Sequence, residues 1–340
     1  MEIKMKIVIF EIEQWEYDNF KQLSQDHEVQ YIFETLSKDN VEQFKDADII
    51  STFIYSKLDR KVLEKFNHLK FIATRSTGFD HIDIQYCNEK GIFIANVPVY
   101  GENTVAEHVF ALLLTISHHM YEAIDRTKKG DFSIHGLRGF DLKNKVMGVI
   151  GTGNIGQQVI QIAKGFNMKV IAHDIKRKEK LANELDFQYV PFDKLLNKSD
   201  IISLHVPANH STENLIAEEQ FNKMKQGVIL INTSRGQIIN SSDLTQALAE
   251  GKVEAAGIDV LPEEPVIREE AELLRSIYEE KHDLQALLTD CALLRLKNVI
   301  ITPHNAFNTQ ESIQRILQTT VENLQSYIQG SPENIVNEPK

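Results

Sequence analysis

The segment VMGVIGTGNIGQQVIQIAKGF holds Gly151, Gly153 and Gly156 in a GxGxxG spacing. The glycines follow an apolar, strand-like run and open a helix-like one. Gly151 permits a tight turn, Gly153 lets backbone approach a pyrophosphate, and Gly156 lets the helix lie close to the strand. The helix N-terminus adds N–H donors and positive dipole charge for an anion. The next strand-like run, KVIAHD, ends in Asp174, where a carboxylate that binds a ribose 2′-hydroxyl is expected. Strand, helix and acid together point to a dinucleotide. Asp174 should repel a 2′-phosphate, which favours NAD over NADP. Lys176, Arg177 and Lys178 follow closely and are read as a solvated basic face.

A nicotinamide cofactor needs a partner that exchanges a proton, because hydride transfer to a carbonyl leaves an alkoxide. Three strand-like runs end in suitable residues. Arg235 follows GVILINTS, and its planar fork of donors suits a carboxylate. Glu264 lies in GIDVLPEEP, where a carboxylate beside a histidine would favour the imidazolium and orient the ring. Glu263 and Asp259 compete with it, and spacing alone does not rank the three. Asp259, on the strand itself, could reach the amide region of the cofactor. His304 follows NVIITP and is one of twelve histidines. Its place at a strand end sets it apart, since open α/β sheets bind ligands outside the carboxyl ends of their strands.

Composition narrows the partners. The net charge is −12, which argues against broad contact with nucleic acid or an anionic membrane. Cys87 and Cys291 stand far apart with no metal-ligand spacing, so no metal site is expected. The apolar run at Ile7–Phe10 is too short for a signal-peptide core. The run VFALLLTI is too short for a membrane span. A cytoplasmic protein is expected.

The elements that would position these residues alternate. KIVIF, YIF, DIISTFI, LKFIATR and IFIANV read as strands, with helices such as WEYDNFKQLSQ and DRKVLEKFN between them. NTVAEHVFALLLTISHHMY reads as one long apolar helix with an Asn or Thr cap at its start. A second series follows: VMGVI, KVIAHD, DIISLHVP, GVILINTS, AAGIDV and NVIITPH. The pattern predicts an α/β fold of two Rossmann-like, doubly wound parallel sheets with a cleft between them. The expected domains are 1–103 plus 304–340, flavodoxin-like and substrate-binding, and 104–303, NAD-binding. The tail helix at residues 313–330 is assigned to the first domain because one helix cannot bury a core of its own.

The stretches TRSTGFDHIDI, NVPVYGENTVAEHVFALLL, VIGTGNIG, ISLHVP, LINTSRGQIIN, GIDVLPEEP and VIITPHNAFNT resemble the D-isomer-specific 2-hydroxyacid dehydrogenases, most of all the D-lactate dehydrogenase branch. The resemblance implies that Arg235 binds the substrate carboxylate and its carbonyl oxygen. It implies that Glu264, before Pro265, raises the basicity of His304, which exchanges the proton. It gives Thr77 and Gly78 the backbone N–H groups that hold the carboxylate. Tyr100 and Phe307 become aromatic neighbours of a small side-chain pocket. On the cofactor side it implies Thr104, Asn154, Ile155, Val206, Pro207, Thr212, Thr233, Ser234, Arg235, Asp259 and His304, beside the three glycines and Asp174.

The chain departs from the family where Leu261 and Pro262 replace a common aromatic and acid. It also has a helix-like insertion over residues 266–295, read as a solvated surface helix, and a VPVYGEN turn. The implied reaction is reversible reduction of a small 2-oxo acid by NADH. Pyruvate to D-lactate comes first, and glyoxylate, hydroxypyruvate or a branched 2-oxo acid is the alternative. A homodimer joined through the apolar helix is expected. Two further readings are an NAD-responsive corepressor-like binding module and a formate dehydrogenase, although that group resembles this chain less because it carries glutamine where Glu264 stands.

Overall fold

Alternation of side chains above and below a pleated strand decides the first sheet. Ile7 and Ile9 bury on one face, and Val8 and Phe10 on the other. A strand apolar on both faces must be covered on both sides, as parallel sheets are. The computed structural model describes residues 4–262 and 293–339. Within them the chain divides into two units, Met1–Gly101 with Thr309–Lys340, and Glu102–Asn308.

In the first unit, β1 (Lys6–Ile9), β2 (Glu28–Tyr31), β3 (Ile49–Thr52), β4 (Phe71–Thr74) and β5 (Phe93–Ala95) form a parallel sheet in the order β2-β1-β3-β4-β5. This is the flavodoxin-like order, with its reversal between β1 and β3. The second strand occupies EVQY rather than the expected YIF. Its register against β1 pairs Lys6 with Glu28 and Ile9 with Tyr31. The helices between these strands are short: α1 (Tyr17–Phe20), α2 (Leu23–Asp26), α3 (Arg60–Leu63) and α4 (Ile84–Lys90). WEYDNFKQLSQ, expected as one longer helix, is broken into a 3-10 turn followed by α1 and α2, and DRKVLEKFN contributes the single turn of α3.

The second unit holds β6 (Val146–Ile150), β7 (Lys169–His173), β8 (Gln188–Tyr189), β9 (Ile201–Leu204), β10 (Val228–Asn232), β11 (Val253–Ile258) and β12 (Val299–Ile301). All are parallel, in the order β12-β11-β10-β9-β6-β7-β8. The chain runs outward from β6 to β8, then returns to β9 and runs the other way, so the switch point lies between β6 and β9. Its helices are α5 (Glu102–Ser117), α6 (Met120–Lys128), α7 (Asn154–Gly165), α8 (Glu179–Glu184), α9 (Phe192–Lys198), α10 (Glu218–Lys223) and α11 (Ser241–Ala249).

The long apolar helix begins one residue earlier than expected, so Asn103 and Thr104 lie inside it rather than capping it. It ends at Ser117. His119 then takes a left-handed φ of 48° and α6 starts. Val109, Leu112, Leu113 and Ile116 of α5 are buried inside this unit with Val159 and Ile160 of α7 and Ile231 of β10.

The chain closes with α12 (Gln310–Ile328), capped by the Thr309 hydroxyl, which accepts the Ser312 N–H at 3.3 Å. Leu317, Val321 and Leu324 of α12 pack in the first unit against Ile7, Ile9, Ile49 and Phe71. Among the described residues, no helix is long and apolar enough to cross a membrane. The insertion at residues 266–295 lies outside the described residues up to Ala292.

Candidate active site

The loops at the carboxyl ends of β6 and β9 meet at the switch point of the second sheet. Gly151 takes φ +94°, and a Cβ there would stand 2.3 Å from the His205 carbonyl oxygen. A Cβ on Gly156 would stand 2.1 Å from the Gly151 carbonyl oxygen. Only glycines permit this packing of turn, helix and neighbouring loop. Gly153 precedes α7, and a Cβ on it would meet nothing within 4 Å. The first turn of α7, including Asn154 and Ile155, thus opens onto free space with its N–H groups leading.

Asp174 follows β7. Its carboxylate accepts the Thr152 N–H at 2.7 Å, the Thr152 hydroxyl at 2.9 Å and the Lys176 N–H at 2.8 Å. Partial burial pulls its pKa upward. The hydrogen bonds from Lys176 and Thr152 outweigh that, and the carboxyl stays below its ordinary value. Asp174 is therefore held as an anion beside the glycine turn.

After β9 come His205, Val206 and Pro207. Thr212 closes this loop, its hydroxyl donating to the Pro207 carbonyl at 2.6 Å. The His205 ring is 2.7 Å from the Ser203 hydroxyl. Burial pushes its pKa down to about 3. The unfolded chain therefore takes up a proton on His205 near pH 6.5 while the folded chain stays neutral, and stability falls as pH drops from about 6.5 toward 3. Between pH 6.5 and 5 the expected loss from this group is about 2 kcal/mol. The residue keeps some solvent contact, which makes that figure an upper bound. Denaturant unfolding of the parent and of His205→Asn at both pH values checks it: the variant should show a flatter dependence. Equal slopes would remove His205 from the account.

β10, β11 and β12 follow one another in the sheet, and each is followed by polar residues at its carboxyl end. After β10, Thr233 is buried and its hydroxyl has no partner among the described residues. The Ser234 N–H donates to Asn232 Oδ1 at 3.0 Å, its hydroxyl donates to the Leu204 carbonyl, and Asn232 Nδ2 donates to the Arg235 carbonyl at 2.9 Å. Arg235 Nη1 donates to the Ser234 carbonyl at 2.8 Å. Gly236 lies so close to the Leu261–Pro262 peptide that a Cβ would stand 2.2 Å from the Leu261 carbonyl carbon. The Arg235 loop is thus pressed against the segment that leads to Glu264. Glu264 itself, with Glu263 and Pro265, lies outside the described residues.

Asp259 follows β11 and is fully buried. Read from the sequence as a cofactor contact, it engages both carboxylate oxygens inside the protein. Oδ1 accepts the Thr302 hydroxyl at 2.5 Å and the Asn305 N–H at 3.0 Å, and Oδ2 accepts the Ala306 N–H at 2.9 Å. A buried carboxylate must find such donors, and here they come from the turn that carries His304. His108 of α5 completes the group, with Nε2 at 3.0 Å from the Thr302 hydroxyl and 3.5 Å from Asp259 Oδ1. His304 sits in that turn with φ 52°, and its N–H donates to the Thr302 carbonyl at 2.9 Å across Pro303. Phe307 follows it, half-buried. Thr104 is buried near the start of α5.

The remaining sequence candidates belong to the first unit. Thr77 is exposed and Gly78 half-buried, in the loop after β4. Tyr100 follows β5, and its carbonyl accepts a bond from Arg315 Nε. Phe53 and Tyr55, after β3, meet edge-on at 5.4 Å. Sequence reasoning passed over this pair, although two aromatics just past a strand end were a visible signal.

The second unit fits a dinucleotide. It offers an open helix N-terminus, an anchored carboxylate one strand away, and in Thr233 a buried hydroxyl lacking a partner among the described residues.

Comparison with known proteins agrees. The family model for "D-isomer specific 2-hydroxyacid dehydrogenase, NAD binding domain" matches residues 110–306. The D-lactate dehydrogenase of Escherichia coli K12 is 32% identical over 333 residues, 96% of this chain and 98% of that protein. The hydroxypyruvate reductase of Blautia hydrogenotrophica is 37% identical over 303 residues, 87% of each chain. The crystal structure of Aquifex aeolicus D-lactate dehydrogenase with NAD and lactic acid superposes with a TM-score of 0.87 at 36% identity, covering 98% of this chain and 100% of that one. A glycine turn and anchored acid at the switch point, with an arginine and a histidine at the ends of the two strands that flank β11, thus mark this NAD-binding oxidoreductase as a member of the D-isomer-specific 2-hydroxyacid dehydrogenase family.

Proposed function

We propose that the protein reduces a small 2-oxo acid to the D-2-hydroxy acid with NADH, pyruvate to D-lactate being the first choice. The observation that supports it most is the turn 302–306, in which the buried Asp259 carboxylate holds the residues on either side of His304, with β11 alone between that strand end and the one bearing Arg235. Relatives similar over nearly the whole chain include D-lactate dehydrogenases. Glyoxylate and hydroxypyruvate reductases match over 87–88% of it. These substrates differ by small groups, and a pocket discriminates each only modestly. Initial rates of NADH oxidation with pyruvate, glyoxylate, hydroxypyruvate and a branched 2-oxo acid decide among them. A kcat/KM for glyoxylate or hydroxypyruvate above that for pyruvate would displace D-lactate. Turnover of none would favour a binding module.

The roles follow from side-chain chemistry. The Arg235 fork receives the substrate carboxylate and polarises the carbonyl oxygen. The Thr77 and Gly78 N–H groups are assigned to the substrate carboxylate. His304, as imidazolium, gives its proton to the oxygen as the carbonyl is reduced. Glu264 is assigned to hold that imidazolium, and Asp259 to hold the turn. Tyr100 and Phe307 are each assigned to the substrate side chain. Gly151, Gly153, Asn154, Ile155 and Gly156 hold the pyrophosphate, Asp174 the adenosine ribose, and Val206, Pro207, Thr212, Thr233, Ser234 and Thr104 complete the cofactor surface. Bound NADH supplies the hydride to the carbonyl carbon.

Asp174 should also set the choice between NADH and NADPH. Asp174→Ala loses a charge-assisted hydrogen bond to the ribose and a repulsion toward a 2′-phosphate, each of order 1–3 kcal/mol. The ratio of kcat/KM for NADH over NADPH is expected to fall by at least tenfold. The freed Thr152 disturbs both cofactors alike, so the ratio isolates the charge. A ratio that holds would move selectivity elsewhere.

We further assign a homodimer. The apolar side chains of α5 are largely spent inside the second unit, so the face expected to join two copies is mostly covered. Instead Met120, Tyr121 and Ile124 of α6, with Phe132 and Ile134 beyond it, are exposed, the last two by 79% and 86%. Such a cluster of exposed apolar residues marks an interaction surface. Ile124→Glu with Phe132→Ser should halve the mass seen by light scattering; a parent that is already monomeric would refute the assignment.

A further inference from the structure

The Thr77–Gly78 loop is held locally by the Ser76 hydroxyl, which donates to the Gly78 carbonyl at 2.6 Å, and also by groups further away in sequence. The Val97 N–H donates to the Ser76 carbonyl at 3.0 Å, and Asn96 Nδ2 donates to the Thr77 carbonyl at 2.8 Å. Among the described residues no peptide bond is cis. In a trans peptide the carbonyl and the following N–H point in opposite directions. Pinning the Ser76 and Thr77 carbonyls therefore turns the Thr77 and Gly78 N–H groups the other way. Neither N–H donates to an acceptor among the described residues. Both donors lie in a loop where Thr77 is exposed and Gly78 half-buried.

Asn96 is itself held from both sides. It is buried, its N–H donates to the Asn334 carbonyl at 3.2 Å, and its carbonyl accepts Asn323 Nδ2 at 2.8 Å. Asn323 projects from α12 and is fully buried. Its Oδ1 accepts Asn334 Nδ2 at 2.8 Å. Each side-chain amide can donate and accept at once without charge, which suits a buried chain of this kind. The segment beyond α12 is fastened to the edge of the sheet. The Val336 N–H donates to the Ile94 carbonyl at 2.9 Å. Asn337 accepts the Ile94 N–H and donates to the Ile92 carbonyl and to Asn88, each at 2.8 Å.

We infer that Asn323 and Asn334, in the C-terminal return, are positioning residues for substrate: through Asn96 they fix the peptide planes that aim the Thr77 and Gly78 N–H groups at the 2-oxo acid's carboxylate. This rests on the reading that the Thr77–Gly78 loop receives that carboxylate. An interaction made equally in the bound and transition states shows itself in KM rather than kcat, whereas a segment that merely covers the β5 edge shows itself in melting temperature.

The test uses the full chain, NADH and the 2-oxo acid turned over best in the panel above. Asn323→Ala is expected to raise KM about tenfold and Asn334→Ala about threefold. In both, kcat should stay within twofold and NADH affinity should not change. Asn334 lies at the exposed end of the relay, so its variant keeps the question open to measurement should Asn323→Ala fail to fold. A lower melting temperature with unchanged KM in both variants overturns the inference. Asn96→Ala separates the two layers. If it alone raises KM, the loop reading stands and the relay to the tail falls. If it too leaves KM unchanged, the loop reading falls and takes the relay with it.

Discussion

Replacing His304 with glutamine is expected to lower kcat about a thousandfold and to leave NADH affinity within twofold. Glutamine keeps a hydrogen-bonding head of similar reach but has no proton to give at neutral pH, so the alkoxide would have to draw its proton from water. General acid catalysis by a placed side chain is worth roughly a hundred- to ten-thousandfold. The placement is visible. The Asp259 carboxylate accepts two backbone N–H groups and the Thr302 hydroxyl from the turn that bears His304. The groups assigned to the adenosine and pyrophosphate stand on other strands, β6, β7 and β9, which is why cofactor binding should survive. Stopped-flow single turnovers with fluorescence titration of NADH measure both quantities. Near-normal kcat would mean that the proton comes from elsewhere. Weakened NADH binding alone would make His304 a cofactor contact.

The difference between what local sequence reveals and what it hides follows from contact distance along the chain. The glycine turn is legible because strand, turn and helix are consecutive, and the steric need for Gly151 and Gly156 arises within a few residues or from the loop after the adjacent strand. Arg235 and His304 are legible as strand-end polar residues. Asp259 is legible as an acid but not as an anchor, because its partners Thr302, Asn305 and Ala306 lie across the insertion. The amide chain from Asn334 to Thr77 joins four segments, and no periodicity reports it.

Element boundaries show the same limit. β2 falls on EVQY because pairing with β1 sets its register, whereas apolarity alone favoured YIF. The long apolar helix ends at Ser117 although MYEAIDRTK continues to favour helix. His119 breaks it with a left-handed residue, a conformation that tertiary packing selects and that histidine tolerates only at some cost.

Arg235→Lys should reduce kcat/KM for the 2-oxo acid about a hundredfold, mostly through KM, with NADH affinity again unchanged. The substitution keeps the charge, so it isolates geometry. A guanidinium presents two parallel N–H donors to the two carboxylate oxygens, and an ammonium meets them only as a point charge. The fork is useful only if its backbone is fixed, and three constraints fix it. Asn232 ties the Ser234 N–H and the Arg235 carbonyl, the Ser234 hydroxyl reaches the Leu204 carbonyl, and Gly236 packs on the Leu261–Pro262 peptide. A lysine on the same rigid loop cannot shift its main chain to recover the lost bond. Arg235→Gln, which also removes the charge, should cost a further tenfold or more. Michaelis parameters of both variants test this order. Should lysine match arginine, carboxylate recognition would rest on charge alone, or on the Thr77 and Gly78 N–H groups without Arg235.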